Sequence, residues 1–472
     1  MAPVVGWIFA STMALAAPTR GTILKPVLLA ATPGRNPERL IVKLVENAGL
    51  IVHPDGLSPH PQAGNLTQLL QGSTTLFNRS PEKLRREKEQ AGGDLADLSL
   101  YLTLAGPDAI ARGNALLQHP LVETAYLAPN PSPPPGDIAP ETPDFSAEQG
   151  FDQAGPEGLG FDIAHRWPGG DGSNVVIADV EYSFDPSHEE FEDLTISELG
   201  YPYDDYQFHG NGVLGILGAP HNDFGVSGLV PGADFIMVSP FNETPLLGVV
   251  YNVANAIDLA AEHLDAGDIL LIEQQGWNND VFTPVEISIA EFDAISHAVA
   301  RGIAVIEPAG NGACDLDDPI WEGAFDRTER DSGAIMVGGG ASPFSSQTAR
   351  SYYHPSGSCF GSRVDVQGWY DHTTTTSAAD GAPSYTDRFY PGYDGRQAYT
   401  GSFGGTSGAA PMIAAIAAAM NSVAIETRGV AWDPLALRAA MVSTGHPQQQ
   451  EGLEHIGPQP DLRRLLRLWG VR

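Results

Sequence analysis

Cysteine and lysine are scarce in this 472-residue chain, and each scarcity excludes something. Two cysteines, Cys314 and Cys359, are too few for a disulfide-dense scaffold or a four-cysteine zinc site. They leave two alternatives open, a single bridge or a pair of free thiols. Lysine occurs only as Lys25, Lys43, Lys83 and Lys88, so every later basic residue is an arginine. Positive charge as a whole is short, with 25 Lys and Arg against 58 Asp and Glu and a formal net charge of −33. The deficit is uneven: residues 1–88 hold 10 basic and 5 acidic side chains, and the rest holds 15 against 53. So acidic a surface repels phosphate backbones and argues against a nucleic-acid partner, whereas cationic peptides or a salty medium suit it. Beyond the N-terminus the sequence also shows no apolar run near 20 residues, so no membrane span is expected.

What is present bounds the architecture. With 42 % hydrophobic residues, 53 Gly and 38 Pro, the chain can bury a full core, and its length predicts one large and one small domain. An apolar stretch at 4–17 closes on Ala14-Leu15-Ala16, a small-x-small pattern, and reads as a signal peptide over 1–17. That reading makes the protein secreted or periplasmic. Within 18–130, strands at 39–44, 97–104 and 121–127 and a helix at 108–118 predict a small α+β layer. Residues 131–160 are rich in Pro and Gly and read as a stiff, extended linker, a natural place for processing. From 161 to 472 apolar strands (175–180, 233–238, 269–274, 303–306, 334–337, 364–367) alternate with helical segments (209–218, 250–264, 284–300, 406–421, 433–443). Such alternation predicts an α/β fold, a parallel sheet with helices on both faces.

Three cassettes carry candidate chemistry. Gly405-Thr406-Ser407-Gly408-Ala409-Ala410-Pro411 runs into apolar residues and places a serine at a buried helix N-terminus, where the helix dipole stabilises a developing negative oxygen. The run at 175–180 ends on a carboxylate, Asp179, at the strand edge where α/β sheets gather ligands. His209-Gly210-Asn211-Gly212 opens a tightly packed helix. Taken singly, each has an ordinary reading: a helix cap, a turn aspartate, a core histidine. Taken together, Asp179, His209 and Ser407 follow one another in an order known for nucleophilic hydrolases.

At these residues the chain resembles the subtilisin-like serine peptidases. Their Asp-Ser/Thr-Gly, His-Gly-Thr-His and Gly-Thr-Ser-Met-Ala-Ala-Pro motifs match Asp179-Val180-Glu181, His209-Gly210-Asn211-Gly212 and Gly405 to Pro411. Val180, Glu181, Asn211 and Gly212 depart from the usual residues. The resemblance implies a subtilisin-like parallel sheet preceded by a small α+β pro-region that acts as an intramolecular inhibitor. It further implies peptide hydrolysis through an acyl-enzyme on Ser407, with His209 as base, Asp179 orienting its ring and Asn311, from the Gly-Asn-Gly at 310–312, donating to the oxyanion. No cofactor is needed for that chemistry. An esterase using the same three residues, or a silent binding protein on the scaffold, are the alternatives.

By the same resemblance, Gln274, Gln275 and Gly276 pair with an extended polypeptide substrate, and Glu307, Pro308, Ala309 and Gly310 line the primary pocket. Glu307, Asp280 and the cluster Asp315, Asp317 and Asp318 make that neighbourhood acidic, which predicts a preference for Arg or Lys, or another cation, in the pocket. Asp315, Asp317 and Asp318 form an acidic cluster that offers oxygen ligands to a structural calcium. Cys314 lies three residues after Asn311, so in an exported protein a single bridge to Cys359 would pin that loop, and otherwise the two are free thiols.

Overall fold

The computed structural model describes residues 25–26, 28–31, 35–53, 56–91, 95–129, 137–345, 357–381, 387–391, 394–449 and 454–470. The candidate signal segment lies outside them. The chain divides into two compact units, residues 1–133 and 134–472.

The smaller unit is an antiparallel sheet of β1 (Arg35–Leu44), β2 (Thr74–Thr75), β3 (Tyr101–Ala105) and β4 (Val122–Pro129), in the order β2-β3-β1-β4. Its longer helices are α1 (Pro81–Ala91) and α2 (Ala109–Leu117). Alternation along β3 turns Leu102 and Leu104 inward, where Leu40, Val42, Leu116 and Leu127 complete a core of the unit's own. The expected strand, strand, helix, strand sequence is therefore present, with β2 and α1 added. The basic run at 83–88 lies on α1, and Lys88 pairs with Glu46.

The larger unit is built on seven parallel strands. They are β5 (Val176–Val180), β6 (Ile196–Leu199), β7 (Asp234–Val238), β10 (Ile269–Ile272), β13 (Ala304–Pro308), β14 (Ile335–Gly340) and β15 (Val366–Trp369), ordered β15-β14-β13-β10-β5-β7-β6. Between β7 and β10 come a hairpin, β8 (Phe241–Thr244) with β9 (Gly248–Tyr251), and helix α4 (Val253–Glu262). A second hairpin follows β10, formed by β11 (Gly276–Asn278) and β12 (Val281–Thr283), and then helix α5 (Ile289–Ala300). Side chains alternate faces along every strand, so the continuous apolar runs fill two cores. One face, with Ile177, Leu271 and Ile306, packs under α3 (Gln207–Gly218) and α6 (Thr406–Arg428). The opposite face, with Ala178, Val180, Leu270 and Val305, packs against α4 and α5.

Two expectations need correction. Residues 137–160 are no free linker, because Phe151 and Leu159 are buried in the core of the larger unit. Gln397 also holds that segment, donating to the carbonyls of Ile138 and Pro140. Of the expected linker, residues 131–136 lie outside the described residues. The expected lack of a long apolar segment also fails: α6 is long and apolar enough to span a membrane by composition, yet 94 % of its most apolar window is buried in the fold. Small residues at 414–415 and 417–419 let it pass through the middle of the unit as a core helix.

Candidate active site

Strand register assembles the acidic side of the site. In the parallel pair β5 and β10, Asp179 stands opposite Leu271 and Val180 opposite Ile272, and the amide of Glu273 continues the ladder onto the Val180 carbonyl. Residues two apart share a face, so Asp179, Glu181 and Glu273 all emerge on the side covered by α3 and α6. The order of strands reverses beside β5, which makes this edge a natural crevice.

Helix α3 brings His209. Its Nδ1 lies 2.5 Å from Glu181 Oε2, and Glu181 Oε1 accepts the Tyr182 backbone N–H at 2.7 Å. Asp179 does not hold the imidazole: it is 1 % exposed, and neither carboxylate oxygen has a hydrogen-bond partner. The orienting position expected for Asp179 is thus taken by Glu181, because the longer side chain, one pleat further along the strand, reaches the ring. Glycine at 210 permits this approach, since a Cβ there would stand 2.2 Å from the Ser183 carbonyl oxygen and 3.0 Å from Glu181 Cγ. Asn211 pins the turn between its neighbours by accepting from Asp185 N–H and donating to the Ser377 carbonyl. At 212 a Cβ would strike the Phe403 ring, which packs edge-on to His209 with centroids 5.5 Å apart. The departures from the usual motif are therefore one connected set.

Electrostatics follows the same geometry. Burial lowers the proton affinity of His209, but the Glu181 charge and its hydrogen bond outweigh burial, and the net shift is upward. Asp179 is pushed well above the ordinary carboxylate range by burial and then by Glu181. Glu273 is raised in the same way, by burial and then by Asp179 and Glu181.

Ser407 sits in the first turn of α6, after Gly405, whose φ of 76° belongs to the left-handed region. First-turn N–H groups have no intrahelical acceptor, so the Ser407 amide is available to an oxyanion. Pro411 has no N–H for the Ser407 carbonyl four residues earlier, which loosens this first turn from the ladder. Asn311 follows β13. Its Oδ1 accepts the Thr406 N–H at 2.9 Å, and its Nδ2 is 3.3 Å from Gln275 Oε1. Thr406 therefore fixes which end of the amide faces which partner.

His209, Ser407, Asn311, Thr406 and Glu273 line one cavity of about 330 Å³. Gln274, Gln275 and Pro308 line it as expected, and Tyr182, Tyr206 and Phe282 supply an aromatic wall that sequence reading did not single out. Gly276, Ala309 and Gly310 are not among its lining residues. Gly276 belongs to β11, Ala309 packs in a small core with Trp321 and Cys359, and Gly310 closes against the Thr283 backbone. Glu307, expected in the primary pocket, is wholly buried on the other side of β13, where it accepts from the Glu286 N–H beside the buried Arg363–Glu286 pair. It cannot select a basic side chain from there. Sequence reading passed over Glu181 as a mere replacement for glycine, although its spacing of two from Asp179 was a signal for a shared face.

Each member of the acidic trio accepts local hydrogen bonds. Asp315 accepts from the Asp317 N–H, Asp317 from the Ser362 N–H and hydroxyl, and Asp318 from the Ile320 N–H. These are loop-capping contacts, and among the described residues no group of three His, Cys, Asp or Glu has the arrangement of a metal site. Cys314 Sγ lies 2.7 Å from Cys359 Sγ, and both are thiols.

Comparison with known proteins gives this geometry its relatives. The subtilase family model, Peptidase_S8, matches residues 117–457. The minor extracellular protease Epr of Bacillus subtilis (strain 168) is 26 % identical over 163 residues, which is 32 % of this chain and 22 % of the relative, so the match spans under a quarter of that protein's length. Among solved structures, proteases from Pseudoalteromonas arctica share 17 % identity at a TM-score of 0.48, covering 69 % of this chain and 98 % of theirs. A cold-adapted subtilisin-like serine proteinase shares 20 % at a TM-score of 0.43, covering 61 % of this chain and 89 % of its own. With its family match extending over most of both the sheet and the cleft, the chain belongs to the subtilase family of proteases.

Proposed function

We propose that the chain is a serine endopeptidase that cleaves polypeptides through an acyl-enzyme on Ser407. The observation that carries this reading is the 2.5 Å contact between His209 Nδ1 and Glu181 in the cleft that also holds Ser407 and Asn311. With Nδ1 engaged, Nε2 is left to accept the Ser407 proton as Oγ attacks the substrate carbonyl. Glu181 holds the ring and stabilises the imidazolium that forms. Asn311 Nδ2 and the Ser407 N–H receive the negative oxygen, an interaction typically worth about 3–4 kcal/mol of barrier per donor. His209 then returns the proton to the leaving amine, and water repeats the sequence on the ester.

The aromatic wall of Tyr182, Tyr206 and Phe282 supports a preference for apolar or aromatic side chains over basic ones. Export through the apolar segment at 4–17, and release of the smaller unit as an inhibitory pro-region, complete the reading. A serine-directed fluorophosphonate should label Ser407 in the wild type and fail on Ser407→Ala, and only the wild type should cut peptides. Hydrolysis of simple esters with no cleavage of any peptide library would replace this reading with an esterase.

A further inference from the structure

Glu273 has no part in the mechanism above, yet it lines the cleft beside Ser407 and His209. It is 5 % exposed, and neither of its carboxylate oxygens reaches a hydrogen-bond partner. Behind it stands Asp179, equally unpartnered. Two desolvated carboxylates left without donors carry a large cost when charged, and one proton or more relieves it. A protonated carboxyl differs from a carboxylate in having a hydrogen to give.

We propose that Glu273 is a further catalytic residue, a carboxylic acid that donates a hydrogen bond to Ser407 Oγ and so aims the hydroxyl proton at His209. The proposal rests on the peptidase reading of this site. A serine hydroxyl has one hydrogen and two lone pairs. With a lone pair occupied by the Glu273 proton, the O–H is left to point at Nε2. In the attack, the Oγ–H bond breaks, its proton passes to His209, and Oγ bonds to the carbonyl carbon. In deacylation the Oγ–C bond breaks and Oγ regains a proton from His209. Glu273 keeps its own proton throughout, and water is the sole co-reactant. The adjustment required is a rotation about the Ser407 or Glu273 side-chain bonds.

The ionisable groups acting on Glu273 are Asp179 and Glu181 from the β5 edge, while Ser407 from α6 is the hydroxyl close enough to favour its ionised form. His209 from α3 shares the cavity. Burial and the two carboxylates win, and the group titrates well above the carboxylate range. Once ionised, Glu273 can only accept. It then takes the Ser407 proton for itself and turns the hydroxyl from His209, so activity falls at alkaline pH.

The test is kcat/KM of the full chain against pH for wild type, Glu273→Gln and Glu273→Ala, with infrared spectra of the wild type and Glu273→Gln. Glutamine keeps a donor that does not titrate, so activity at neutral pH should fall only about tenfold and the alkaline limb should disappear. Alanine should cost about a hundredfold at neutral pH and, having no group to ionise, should also lack the alkaline limb. The carbonyl band of a protonated carboxylic acid should be present in the wild type and weakened in Glu273→Gln. An unchanged alkaline limb in a folded, active Glu273→Gln, or an acid band that this exchange leaves untouched, would overturn the proposal. Wild-type protein that resists a fluorophosphonate would instead remove the peptidase reading beneath it.

Discussion

Exchanging single carboxylates separates the roles of Asp179 and Glu181, which lie two residues apart. Glu181→Gln removes the acceptor that orients His209, and kcat/KM should fall by about 10³–10⁴. Since Glu181 is what raises His209, the same exchange lowers its proton affinity, and the acid limb of residual activity moves to lower pH. Asp179→Asn touches no hydrogen bond to the ring and should cost less than about tenfold. Steady-state kinetics on both variants across pH checks the pair, and the reverse ranking would restore Asp179 to the orienting position. Ser407 was legible at this scale only through its company, because a serine before a run of small residues is by itself an ordinary helix cap, and Asp179, His209 and the Gly-Asn-Gly at 310–312 set it apart. The orienting acid was less so. A motif comparison fixes attention on the residue in the customary column, whereas the strand's period of two carries Asp179 and Glu181 to one face together, and side-chain length decides which reaches the ring. Glu307 misled for the matching reason: its position along β13 was right, but adjacent residues of a strand face opposite ways, so Pro308 meets the cleft and Glu307 the core.

At the scale of elements, β5, β10 and β13 were readable as continuous apolar runs, which is what burial on both faces requires. The hairpins were not, because Phe241–Thr244 and Gly248–Tyr251 carry mixed, half-exposed residues with no clear alternation. Helix α3 leaves little room for change at its glycines. Gly210→Ala puts a methyl on the Ser183 carbonyl, so the helix must shift, with an expected loss of about 1–3 kcal/mol in denaturant unfolding. Activity should fall further than stability explains, because His209 moves with the helix. A second element-level expectation concerns the loops holding Cys314 and Cys359. Mild oxidation should remove two hydrogens by mass and stabilise the fold by about 2–4 kcal/mol, an effect lost in Cys314→Ser. A thermal midpoint unmoved by oxidant, with the mass change present, would mean the loops are already held by other contacts.

For the whole molecule, buried acids set the dependence of stability on pH. Glu190 is fully buried and raised to about 8 by burial, against the hydrogen bonds it accepts from Val226 and Tyr399. A carboxyl raised in the folded state binds more protons there than in the unfolded chain. Stability therefore falls as pH climbs from the ordinary 4.5 to about 8. Asp179 and Glu273 act in the same sense. Glu46 opposes them: despite burial, its bonds to Lys88, Asp97 and Lys43 lower it to about 2, and its contribution is lost progressively as pH drops from the ordinary 4.5 through that value. With a net charge of −33 adding repulsion as acids ionise, the thermal midpoint should be higher near pH 5 than near pH 8. Glu190→Gln should flatten the slope between those values, and a midpoint that rises towards pH 8 would contradict this account.

The clasp on residues 137–145 bears on what happens if the chain is severed just before it. Gln397 grips the carbonyls of Ile138 and Pro140, Thr142 donates to Glu189, and Phe145 bonds the Gly225 backbone. A cut within 130–136 would leave the segment from Ile138 to Phe145 held to the body of its unit by these contacts. Trimming from the new amino end should then halt at this clasp, whose Gln397 anchor lies 259 residues beyond Ile138.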